Sequence, residues 1–137
     1  MIVINKNSIN KVMTTLSESP YYQNGNGVNY LVVFTNKIND EVKYFQTTDV
    51  SPYVSRYSLF NITESATTEN IVNSEIHLTG NTQEQSYKIY PLSNTCITES
   101  DVDTAYSTYS ASTQYVESGL VRVIGMETGN TINNVYL

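Results

Sequence analysis

The chain has 137 residues and a formal charge of −6, with seven basic side chains against thirteen acidic ones and no run of like charge. That length is one domain's worth of polypeptide, 1–137, long enough for a single core. Phosphate backbones are held by clustered Lys and Arg, so no nucleic-acid partner is expected, and the lone Cys96 leaves no intramolecular disulfide.

The decisive bias is in side-chain shape. Ile and Val number 25 against ten for Ala and Leu together, Ser, Thr and Asn add up to 48, and Tyr contributes 12. β-branched and aromatic side chains suit a pleated, half-buried surface, whereas Ala and Leu favour helices. The Asn and Ser surplus supplies turns. An all-β chain is expected.

The first residues, MIVINKNSIN, carry three apolar side chains after Met1 and then turn polar. That run is too short for a signal-peptide core or a membrane span. The expectation is a chain made in a cytoplasm, with no membrane partner, and kept there until it joins an assembly. The glycosylation-like triplet Asn61-Ile62-Thr63 then has no consequence.

Asn10–Glu18 alternates and reads as a first strand, followed by a loop with Pro20 and two Asn-Gly pairs. Gly25 and Gly27 have no lysine or helical pattern after them, so they are turn glycines and not a phosphate loop. Val28–Thr35 places Tyr30, Val32 and Phe34 on one face and Leu31 and Val33 on the other, the pattern of a central strand covered on both sides. NKIND separates it from EVKYFQT, which predicts an antiparallel hairpin. Further strands are expected over Arg56–Thr63, Asn70–Thr79 and Gln85–Leu92. Leu120–Gly125 and Thr131–Leu137 flank METGN as a closing hairpin.

These elements predict a single antiparallel β-sandwich, Ig-like or jelly-roll-like, of seven to eight strands. Apolar residues at helical spacing over eleven residues are not expected; the best helix candidate is one turn within 98–106, capped by Thr98 or Ser100. Residues 93–118 form a long Ser/Thr/Tyr-rich loop, and loops of that length are commonly functional.

Candidates for chemistry are few. His77, the only histidine, could serve as a general base, but no Ser or Cys near it sits in a recognisable nucleophile turn, so it reads as an exposed strand residue. Asp101 and Asp103, with Glu99, could approach a hard cation, yet the glycine of a calcium loop is missing and a solvated helix start is the plainer reading. No pair among the thirteen carboxylates is singled out for glycoside hydrolysis. No catalytic residue, cofactor or metal ligand is assigned. Tyrosine remains: Tyr30, Tyr44 and Tyr87 belong to strands, whereas Tyr21, Tyr22, Tyr53, Tyr106, Tyr109 and Tyr115 fall in loop-like stretches. Tyr gives large contact area at low entropic cost. Tyr21, Tyr22, Tyr106, Tyr109 and Tyr115 are therefore the expected partner contacts, the alternative being rings folded back over the domain's own edges.

The stretches YLVVFTNKINDEVKYFQTTDVSPYVSRYSLFNIT, SYKIYPL, DVDTA and YVESGLVRVIG, in this order, resemble small β-rich virion proteins of tailed bacteriophages, particularly crAss-like and related phages of gut Bacteroidota. The resemblance covers about residues 28–125, and the chain departs from it by the insert between Ala105 and Val116. It implies a non-enzymatic structural component, a head auxiliary (decoration) protein docked on the major capsid protein or another virion protein. Such a protein is made in the host cytoplasm, resides in the virion and could form a homo-oligomer. Met1–Ile4 and Thr131–Leu137 are candidate edges for pairing with a neighbour. The alternatives are a small neck or tail component, or a carbohydrate-binding β-sandwich of a phage head fibre or bacterial surface protein.

Overall fold

A computed structural model of the chain describes residues 1–16, 29–53, 56–92 and 95–126. It holds β1 (Ile2–Asn5), β2 (Ser8–Thr14), β3 (Asn29–Asn36), β4 (Val42–Thr48), β5 (Ser58–Glu64), β6 (Glu75–Ile76), β7 (Gln83–Pro91), α1 (Glu99–Tyr109) and β8 (Glu117–Ile124). The strands form a five-stranded sheet in the order β1-β8-β7-β3-β4 and a three-stranded sheet in the order β2-β5-β6. The chain is mostly β, as its composition requires.

The β3–β4 hairpin is antiparallel with Val32 opposite Phe45, and residues 37–41 form its loop. Asp40 takes a φ of 59° there, and the Asn36 side chain accepts from the Ile38 amide at 2.8 Å. β3 lies between β4 and β7 and is covered on both faces, as its two apolar stripes demand. One stripe, Tyr30, Val32 and Phe34, joins Ile2, Ile4, Phe45, Phe60, Ile62, Ile89, Val121 and Val123 in a core that draws on both sheets. Tyr30 meets Phe60 edge-on at 5.6 Å, and Phe34 meets Phe45 at 5.4 Å. The other stripe, through Leu31, belongs to a second cluster with Tyr90, Leu92, Cys96 and Val102 beneath α1.

The corner between β1 and β2, where the chain passes from one sheet to the other, is built by Asn7 at φ 58° and by Asn10. The Asn10 amide group accepts from Asn5 N at 2.8 Å and donates to the Asn5, Ser8 and Ile62 carbonyls. The Lys6 ammonium is buried at the same corner, donating to the Leu78 carbonyl at 2.5 Å and to that of Gly80.

The structure corrects several expectations. The sheets are not purely antiparallel: β1 pairs with β8 and β5 with β6 in parallel. Asn70–Thr79 is not one strand. Asn70 and Glu75 exchange backbone hydrogen bonds across a turn with Ser74 at φ 60°, leaving only Glu75–Ile76 as β6. The long loop contains an eleven-residue helix, α1. Its inner face is Val102, Ala105, Tyr106 and Tyr109, which is helical spacing with tyrosine as the apolar side chain. The closing strand expected at 131–137 lies outside the described residues, and β8 has β1 and β7 as its two neighbours.

Candidate functional site

α1 begins in a capping box. Thr98 Oγ1 accepts from the Asp101 amide at 3.2 Å, and Asp101 Oδ2 accepts from the amides of Ile97 and Thr98 at 3.0 and 3.1 Å. The Ile97 and Thr98 amides hold the Asp101 carboxyl below its ordinary value. Asp103, two residues on, accepts from the Tyr44 hydroxyl at 2.5 Å. That hydrogen bond, with burial, pushes Tyr44 up to about 12. The two aspartates therefore serve the helix start and its anchor on β4. Among the described residues no group of three or more His, Cys, Asp or Glu converges as a metal would need.

The approach to α1 is held by Gln46 on β4. Its side chain accepts from Cys96 N at 2.7 Å and donates to the carbonyls of Cys96 and Val72, each at 3.1 Å, while its own amide donates to Ile71 O at 2.8 Å. One buried amide thus joins β4, the 70–75 turn and the segment entering α1. The Cys96 thiol is buried beside it, and that burial raises its pKa.

The tyrosines of the former loop pack largely on the domain itself. Tyr106 stacks on Tyr44 with centroids 4.2 Å apart and planes 4° from parallel. Tyr109 and Tyr115 flank Tyr90 at 6.0 and 6.3 Å, and the Lys88 ammonium lies 5.3 Å from the Tyr115 ring centre. All three rings are half-buried, whereas Tyr53 is 59% exposed. Tyr21 and Tyr22 lie outside the described residues. His77 is half-buried just beyond β6, its Nδ1 3.0 Å from the Ser65 carbonyl oxygen and its amide donating to Glu69.

β1, within the Met1–Ile4 segment expected as an edge, is the outer strand of the five-stranded sheet, and with β8 it forms an exposed surface that the sequence alone does not assemble. Ile2, Ile4, Val121 and Val123 point into the core, so alternation turns Val3, Leu120, Arg122 and Ile124 to the other face. Val3, Leu120 and Ile124 are 45%, 38% and 41% exposed, Met1 adds a further apolar side chain, and Arg122 sits opposite Val3 on one side and Glu84 on the other. The signal was present as VRVI read with period two, but only the parallel pairing places IVIN beside it. Between this strip and α1 runs a groove of about 560 Å³ lined by Val33, Ser86, Lys88, Tyr106, Ser118 and Leu120 among others. No helix among the described residues is long and apolar enough to cross a membrane.

No protein family, curated protein or solved structure matches the chain.

Proposed function

We propose that this chain is a non-enzymatic attachment module, a β-sandwich that serves as a capsid auxiliary protein of a tailed-phage virion and docks on the major capsid protein. The sandwich reading is supported by the two sheets contributing to one core. The attachment reading is carried by the apolar strip of Met1, Val3, Leu120 and Ile124 around Arg122, exposed side chains fixed on a sheet instead of a loop. The virion assignment is supported by the resemblance of residues 28–125 to small phage structural proteins. On a repeating lattice many copies act together, so each strip needs only weak affinity.

The test is mass spectrometry of purified particles of the phage encoding the chain, followed by co-sedimentation of added protein with those particles. The protein is expected at a fixed stoichiometry, high for a head position and low for neck or tail, with Val3→Asp and Leu120→Asp reducing co-sedimentation at unchanged folding. Particles lacking the protein would overturn the virion assignment, and undiminished co-sedimentation of both variants would overturn the strip as the docking surface. The groove beside Tyr106 favours a second reading, saccharide recognition. Specific, Tyr106-dependent binding on a glycan array would replace the first reading with it.

A further inference from the structure

β2 is the outer strand of the three-stranded sheet; it pairs with β5 on one side and with no strand among the described residues on the other. Which of its backbone groups face the open side follows from hydrogen bonds along β5. The Thr63 and Ser65 amides donate to the Ser74 and Ile76 carbonyls at 2.9 Å, and the Leu59 amide to Asp49 Oδ1 at 3.1 Å. The odd-numbered amides of β5 therefore point away from β2, and alternation directs the even-numbered ones, including Phe60 and Ile62, toward it. Their partners on β2 are Val12 and Asn10. What is left for the open side is the N–H and C=O of Ile9, Lys11 and Met13, three pairs at a spacing of about 7 Å.

The side chains of the same three residues point outward. Ile9 is 70% exposed and Met13 63%, while Asn10 and Val12 are buried. Lys11 is exposed between them, opposite Asn61, and has no carboxylate partner among the described residues. A charged residue on an edge strand ordinarily blunts pairing. Here the lysine is framed by two large apolar side chains, so it selects by charge among strands that would bury them. Self-pairing centred on Lys11 sets lysine opposite lysine, which is unfavourable.

We propose that the β2 edge accepts an extended segment of a partner protein as an added antiparallel strand. That segment carries a carboxylate opposite Lys11 and apolar side chains opposite Ile9 and Met13. This surface is separate from the β1–β8 strip and holds whether or not that strip meets a capsid.

The test is an amide NMR titration of the full chain, into the millimolar range, with a capped heptapeptide that alternates threonine with valine, glutamate and valine. A second peptide has lysine in place of the glutamate. Shifts are expected to centre on the amides of Ile9, Lys11 and Met13, and the lysine peptide is expected to bind about fivefold more weakly. Lys11→Pro removes an amide on the open side and spares the ladder to β5, so it keeps the fold and loses the peptide. Should that variant misfold, Ile9→Asp combined with Met13→Asp changes only exposed side chains and is expected to repel the glutamate peptide. Absence of shifts at these amides, equal binding of the two peptides, or undiminished binding by the folded variants overturns the proposal. So does self-association through β2 without peptide.

Discussion

Replacing Gln46 by leucine tests the account of what holds α1. The substitution removes three hydrogen bonds and strands the N–H and C=O of Cys96, both in buried contacts, along with the partly buried Val72 carbonyl. An unsatisfied buried group costs about 1–3 kcal/mol. Leucine returns about 1 kcal/mol through its added apolar surface. The net loss is roughly 2–4 kcal/mol, a large part of the ~5–15 kcal/mol that holds a typical domain together. At about 3–5 °C per kcal/mol for a chain of this size, the melting temperature falls by roughly 6–20 °C. Near-UV circular dichroism during heating and urea titration measures this, and amide exchange locates it: α1 loses protection before β3 and β7 do. Gln46→Glu keeps an acceptor for Cys96 N but sets an oxygen against two carbonyls. Its penalty therefore shrinks on acidification, as the protonated carboxyl regains a donor. A cost below about 1 kcal/mol for Gln46→Leu, or no pH dependence in Gln46→Glu relative to wild type, would refute the reasoning.

Three further outcomes are expected. Tyr44, raised to about 12 chiefly by its hydrogen bond to Asp103, favours the protonated phenol in the folded state. Its stabilising contribution is complete below pH 10, the ordinary tyrosine value, and fades as pH rises toward 12; Asp103→Asn should move one phenol in an ultraviolet titration back toward 10. Asp101 is shifted the other way, so its cap is fully effective above pH 3.8 and fails as pH falls through its lower folded value. Asp101→Ala should abolish that acid transition of α1 in helical circular dichroism. Gly119 lies opposite Tyr87, and a Cβ there would come within 3.0 Å of a ring whose residue is only 5% exposed. Gly119→Ala should cost about 1–2 kcal/mol in urea unfolding, with the Tyr87–Glu117 hydrogen bond disturbed.

The β3–β4 hairpin was legible because both signals were local: alternation on each arm and a polar turn of the right length. The two-faced burial of β3 was legible because VNYLVVFT is apolar on both stripes. The parallel pairing of β1 with β8 was not, since four residues carry little periodicity and their partners lie more than a hundred positions away. The place of α1 was legible as a turn within 98–106 capped at Thr98, but its full eleven residues were not, for a chemical reason. Val102, Ala105, Tyr106 and Tyr109 have the spacing of a buried helical stripe. Tyrosine amid serine and threonine, however, carries a polar signal in the sequence, whereas here its ring is the apolar payload. The capping of Thr98 and the place of Asp101 and Asp103 at a helix start were readable from type and position; the anchoring of Asp103 to Tyr44 needed the fold.

The parallel pairing of β1 and β8 has a consequence for biosynthesis. Ile2 and Ile4 leave the ribosome more than a hundred residues ahead of the strand that pairs with theirs, which is finished only at Ile124. Until then β1 lacks its one strand neighbour among the described residues, and its two isoleucines lack the cover of Val121 and Val123. Closure of the five-stranded sheet is therefore a late event in vectorial synthesis, and chains arrested before β8 emerges are the ones a holding chaperone should find.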